Sequence, residues 1–211
     1  MPFPTTQILD SGQGADENPI AGNWTNDALN EGANNQLRRL SNNFAAVTLD
    51  TSCEAFWNPR GFDDNIEFYF TVVTNPGAGQ RFEGGFIKSP GTANISGYQF
   101  QFTDNSGTSQ IVRHDVGGFL TLATTSTLTY TIGDVLGARI FGNGGGILEM
   151  FKNGQVVLTA VDSTYAGNFY LYLGIRSTVG RVNNFGGGNI GGDIDRHLDR
   201  GLFRGIERGI S

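Results

Sequence analysis

The sequence predicts an all-β protein, an antiparallel jelly-roll sandwich of two sheets with a short C-terminal docking tail. Three observations carry this. Strand-like runs recur about every 8 to 15 residues with turn chemistry between them and no helical crossover, which favours a sandwich over an α/β fold. Glycine makes up 32 of 211 residues, about twice the usual share of about 7%, while Thr, Asn and Phe are abundant and helix formers scarce. Finally, Asn153-Gly154 sits between two β-rich runs, the strongest short hairpin signal, because a type I′ turn needs φ > 0 at both central residues.

Taken in order, residues 1–43 are polar and turn-rich, and Phe44–Leu49 is a short apolar run read as the first strand. Asn65–Val73 alternates Ile66, Phe68, Phe70 and Val72 with Glu67, Tyr69 and Thr71, the period of a half-buried strand. Pro76–Gln80 is a turn, and Arg81–Lys88 a strand whose Gly84-Gly85 suggests a bulge or close backbone approach. Gly97–Thr103 sets Tyr98, Phe100 and Phe102 against Gln99 and Gln101; Ser109–Arg113 returns. Phe119–Ala123 and Thr127–Ile132 lead into a meander of Val135–Phe141, Ile147–Lys152, Gln155–Ala160 and Phe169–Ile175, and Val179–Phe185 closes the series.

The chain suits one large β domain with a sizeable core: 38% of residues are hydrophobic and 16 are Phe. Its formal net charge of −6 and the absence of a Lys/Arg-rich run argue against nucleic-acid binding. No apolar run is long enough to span a bilayer, and the N-terminus shows neither the basic nor the apolar region of a signal peptide. Cys53, the sole cysteine, cannot form an internal disulfide and reads as a small buried residue.

After a jelly-roll domain at residues 1–185, Gly186–Gly192 reads as a Gly-rich hinge and residues 193–211 as a periodic segment. Ile194, Leu198, Leu202, Ile206 and Ile210 repeat every four residues, as do Arg196, Arg200, Arg204 and Arg208, with Phe203 beside the apolar stripe. In a free helix Gly201, Gly205 and Gly209 would each cost about 1 kcal/mol. The stripe therefore suits a segment that docks on a larger assembly or on its own copies; a solvated terminus is the other reading.

Several blocks resemble the concanavalin A-like lectin/glucanase superfamily in its laminin G-like form, as found in bacteriophage and bacterial surface proteins: "ADENPIAGNWT" (15–25), "AFWNPRGFDDNIEFYFTV" (55–72), "GYQFQF" (97–102), "IGDVLGARIFGNGGGILEMFKNGQVV" (132–157), "DSTYAGNFYLYLGI" (162–175) and "VGRVNNFGGG" (179–188). The similarity covers about residues 8 to 190, departs at Ser11–Gly14 and excludes the tail. It implies the fold; lectins, hydrolases, adhesins and scaffolds all share it.

Glycan hydrolases on this sandwich carry paired carboxylates facing one side of a strand. Glu67, Glu83 and Glu149 each stand alone in their strands, which argues against an enzyme. His114-Asp115 lacks a serine elbow and reads as a polar strand end. Asp63, Asp64, Asp104 and Asn105 supply hard oxygen ligands in loops, so calcium is a candidate cofactor, although such residues also serve turns. Trp24 and Trp57 fall in framework blocks and read as core; Tyr98, Tyr165 and Tyr170 are the candidate glycan-binding aromatics. The expected function is a non-enzymatic virion structural or attachment protein, capsid-decorating or tail-associated, made in the host cytoplasm and able to contact cell-surface glycans. A free carbohydrate-binding module or adhesin is the alternative, and a glycan hydrolase the third reading.

Overall fold

Period-two alternation puts apolar side chains on one face of each strand, and two such faces exclude water only against each other. The computed structural model describes residues 3–26, 36–47, 53–59, 61–88, 95–104, 107–142 and 146–191. Among these run β1 (Ile8–Asp10), β2 (Trp24–Asn26), β3 (Leu37–Leu40), β4 (Asn43–Ala46), β5 (Cys53–Trp57), β6 (Ile66–Thr74), β7 (Arg81–Ile87), β8 (Gly97–Thr103), β9 (Ser109–Asp115), β10 (Gly118–Thr125), β11 (Val135–Phe141), β12 (Ile147–Lys152), β13 (Gln155–Val161), β14 (Tyr170–Arg176) and β15 (Arg181–Asn189). One sheet has the order β13-β12-β11-β6-β15-β4-β3, with β1 also on β15; the other is β10-β9-β8-β7-β14-β5-β2. All pairings between these strands are antiparallel. This is the expected jelly-roll sandwich.

The core lies between the sheets. Phe68 and Phe70 of β6 meet Phe82 and Phe86 of β7 and Phe100 and Phe102 of β8, with ring centroids 5.2–6.5 Å apart. Trp24 and Trp57 are buried and pack edge-on at 5.4 Å, so both are framework. Asn153 and Gly154 both have positive φ, 50° and 79°, and join Lys152 to Gln155 across the β12–β13 hairpin.

The N-terminal segment straps the outer face of the eight-stranded sheet. Phe3 stacks on Phe151 at 4.1 Å. Buried Glu67 accepts at Oε1 from the backbone N–H groups of Thr5 (2.5 Å) and Thr6 (2.7 Å) and from both hydroxyls. On the same face Arg139 donates to Glu149 at 2.7 Å and stacks on Phe141 and Phe151.

Three expectations need correction. Residues 1–43 contain β1, β2 and β3, and β5 precedes the strand at Asn65. Thr127–Ile132 is not a strand; Leu128 and Tyr130 are buried there, and the Tyr130 hydroxyl donates to the Phe102 carbonyl at 2.9 Å. The Gly-rich segment begins as sheet rather than hinge, because Gly186, Gly187 and Gly188 pair with Tyr69, Phe68 and Glu67. Glycine is needed here because a Cβ on Gly186 would lie 2.2 Å from the Tyr69 ring. Gly192 and the whole periodic segment 193–211 lie outside the described residues.

Gly186→Val should therefore destabilise the fold by about 2 kcal/mol or more, as overpacking does, seen as a lower urea midpoint. A true hinge would tolerate the change. Glu67→Ala should leave two backbone donors unsatisfied and cost about 3 kcal/mol, with faster amide exchange at Thr5 and Thr6.

Candidate functional site

The outer face of the seven-stranded sheet carries a groove of about 510 Å³. Strand parity builds it. On β8, Tyr98, Phe100 and Phe102 belong to the core, so Gln99 and Gln101 point outward. On β7, Phe82 and Phe86 are core, which sends Arg81, Glu83 and Ile87 outward; on β14, Leu171, Leu173 and Ile175 leave Tyr172 and Arg176 outside. Glu54 comes from β5, Gln110, Val112 and His114 from β9, and Phe119 and Thr121 from the edge strand β10.

These residues align in rows across the sheet. Glu54, Gly174, Glu83, Gln101 and Gln110 form one row in direct register. Gly174 keeps the floor low at its centre: a Cβ there would lie 3.2 Å from both Glu54 Cγ and Glu83 Cβ. Tyr172 packs with Phe56 and Ile87, which walls the trough on the β5 side. Opposite, the Phe119 ring is 72% exposed and sits 6.2 Å from the His114 imidazole, a flat apolar rim.

Gln99 is the hub of the polar floor. Its Oε1 accepts from Gln101 Nε2 at 2.7 Å and lies 3.0 Å from His114 Nε2, while its Nε2 donates to Glu83 Oε2 at 3.2 Å. An amide oxygen only accepts, so this network assigns the proton to His114 Nε2. Glu83 Oε1 takes Arg81 and, at 3.1 Å, Arg176. The His114 pKa is pushed below its ordinary value mainly by burial, with Arg176 adding to the shift and Glu83 and Asp115 opposing it. Burial pushes the Tyr172 phenol well up, reinforced by Glu54 and Glu83.

The expected site residues fare differently. Tyr98 is fully buried, because parity puts it on the inner face with Phe100; its face is closed to a sugar. Its hydroxyl donates to Asp162 at 2.7 Å, and desolvation raises its pKa. Half-buried Tyr165 is brought against Tyr98, rings 5.8 Å apart, and donates to Asp115 at 2.8 Å. Arg113 ties Asp115 and Asp162 together at this end of the sandwich and holds the Asp115 carboxyl below its ordinary range. Tyr170 does lie on the grooved sheet, in register with Ile87 and two residues from Tyr172. Asp63 Oδ2 accepts from Asn189 at 3.2 Å and Asp64 Oδ1 from the Gly167 N–H. Asp104 is buried at the opposite end, its N–H donating to the Gln80 carbonyl in the β6–β7 turn, and Asn105 lies outside the described residues. Among the described residues no three His, Cys, Asp or Glu side chains gather as a metal site.

The carboxylates considered for hydrolysis are also separated. Glu67 and Glu149 lie on the strapped face and Glu83 is buried beneath the groove. Glu83 does have a carboxylate neighbour, Glu54 across Gly174, but both are buried and Glu83 engages Arg81, Arg176 and Gln99 through its two oxygens. That is a scaffold for the floor, not an acid poised beside a leaving group. Only the Gln99/Gln101 alternation marked this face in the sequence.

Because burial lowers the His114 pKa, the unfolded chain binds its proton more readily than the folded one. Stability should be full above pH of about 6.5, the unfolded value, and fall as pH drops through the lower folded value. The melting temperature should decline from pH 7 to pH 5, and His114→Gln should flatten that decline.

No protein-family model matches this chain, and no curated protein sequence does. Solved structures do. A carbohydrate-binding module, CBM66 from Bacillus subtilis, superposes with a TM-score of 0.57 at 13% identity, covering 79% of this chain and 96% of that one. The potassium-bound carbohydrate recognition domain of Emp46p gives 0.61 at 10% identity, covering 87% and 96%. The lumenal domain of VIP36, in a form with calcium and a mannose disaccharide (Man2), gives 0.58 at 9% identity, covering 87% of each chain. With two antiparallel sheets in jelly-roll order and these structural neighbours, the chain has the concanavalin A-like, legume-lectin-like fold.

Proposed function

We propose that this protein is a non-enzymatic carbohydrate-binding domain whose ligand lies in the groove of the seven-stranded sheet. The carrying observation is the groove itself, a trough floored by the amides of Gln99, Gln101 and Gln110 and rimmed by the exposed Phe119. Sugars offer paired hydroxyls that donate and accept at once, which side-chain amides match, and apolar C–H faces that stack on rings. The structural neighbours, a carbohydrate-binding module and two lectin-type domains, support the same reading.

Screening the full chain on a broad glycan panel should give saturable binding, and Phe119→Ala and Gln101→Ala should each weaken it about tenfold. A chelator should leave affinity unchanged, since Asp63 and Asp64 already accept from protein donors. A flat panel would sink the proposal.

The finer reading places this domain in a virion, as a capsid-decorating or tail-associated attachment protein made in the host cytoplasm. Its support is the fourfold repeat of Ile194, Leu198, Leu202, Ile206 and Ile210, a pattern suited to docking on a larger assembly or on its own copies. A free carbohydrate-binding module accounts for the groove equally well. Light scattering on the full chain and on a chain ending at Gly191 separates them: a defined oligomer that becomes a monomer on truncation favours the assembly component. Absence of the protein from purified particles of its source overturns it.

A further inference from the structure

Resting on the groove as a glycan site, we infer that its Arg81–Arg176 end binds the oxyanion of an acidic glycan, a uronate carboxylate or a sulfate ester. Arg81 and Arg176 are directly opposite on β7 and β14. Both contact the same carboxylate oxygen, Glu83 Oε1, and both do so through Nε. Among the described residues neither terminal nitrogen of either guanidinium makes a hydrogen bond. A guanidinium carries five N–H donors in a rigid fork; Arg81 Nε donates to Glu83, Arg176 Nε faces it as an ion pair without a hydrogen bond, and the paired-nitrogen edge of each fork is left for a ligand. The side chains are 25% and 37% exposed, whereas Glu83 is wholly buried beneath them.

Among the described residues the charges around this end are the two arginines, Glu83 below and Glu54 across Gly174, with His114 on β9 beyond Gln99. The formal charges of the two arginines and two glutamates cancel, but both carboxylates are buried and both guanidiniums reach the groove. A ligand at this end therefore meets donors. A carboxylate or sulfate ester matches a guanidinium fork better than a hydroxyl does, since two of its oxygens accept two parallel N–H bonds. Attraction here comes from local donor geometry, because the chain as a whole carries −6.

The test is calorimetry of the full chain against polygalacturonate, dextran sulfate, plain dextran and a neutral mannan. An acidic polymer should bind at least about tenfold tighter than either neutral one; which acidic polymer it is separates carboxylate from sulfate. Arg81→Lys and Arg176→Lys keep a cation against Glu83 while removing the fork. Each should cost about tenfold in affinity for the acidic polymer, with an unchanged melting temperature. Competition by free galacturonate or inorganic sulfate, against galactose, gives a second reading on the unsubstituted chain. Neutral polymers binding as tightly, with the lysine variants unaltered, would overturn the acidic assignment and leave the groove reading standing. If no polymer and no panel glycan binds, the groove reading itself falls and this inference with it.

Discussion

Ring packing between the sheets sets the register of the strands and, through it, everything displayed on their outer faces. Phe70 meets Phe82 at 5.8 Å and Phe102 at 5.6 Å, and Phe86 meets Phe100 at 5.6 Å, so β6, β7 and β8 are locked together across and along the sandwich. Each fully buried Phe contributes about 1.5–3 kcal/mol. A slip of one residue in β8 would expose three aromatics and bury two glutamines, a difference large enough to exclude the alternative. The groove's amides and its Arg–Glu cluster are therefore consequences of core packing: they occupy the positions that the phenylalanines leave outside.

The two outer faces take opposite fates, and a buried glutamate organises each. Burying a carboxylate is costly unless charges or donors surround it. On the eight-stranded sheet Glu67 Oε1 gathers four donors from Thr5 and Thr6, which draws the N-terminal segment down and covers the face. On the seven-stranded sheet Glu83 meets Arg81, Arg176 and Gln99, all from the sheet itself, and among the described residues the face above it keeps its groove. The asymmetry that makes one face available to a ligand follows from where each glutamate finds its donors.

Much of the sandwich was legible because its signals are local. Alternation in Asn65–Val73 and Gly97–Thr103 gave two strands and their faces, and the Asn153-Gly154 turn fixed a hairpin through backbone sterics. Short strands such as β1 and β2 have three residues each, too few for a period to show. Thr127–Ile132 has a strand's composition but is anchored by the Tyr130 hydroxyl rather than by a ladder, and nothing within the segment announces that. Gly186–Gly188 looks like a linker in one dimension; only the nearness of Tyr69 shows why side chains are excluded. The site was the least visible part, since its central row draws on five strands and its contacts are set by cross-strand register. Glu83 stands alone in its own strand yet has Glu54 two strands away and Arg176 on the strand between.

Parity, not residue type, separates Tyr98, which was sought as a sugar platform, from the aromatic that rims the groove. Tyr98 has suitable chemistry, but it shares the inward parity of Phe100 and Phe102 and its hydroxyl becomes a strut for Asp162. Phe119 has no polar handle, yet edge strand β10 holds it out beside His114. The same parity makes Gln99 the link between opposite sides of the groove. An apolar residue there would leave Gln101, His114 and Glu83 each without one partner in a half-buried setting, where a lost hydrogen bond costs about 1–3 kcal/mol. A glutamine joins all three: its carbonyl serves imidazole and amide while its NH2 serves the carboxylate that holds both arginines. Through that one side chain the aromatic rim on β10 and the arginine end on β7 and β14 belong to a single preorganised surface.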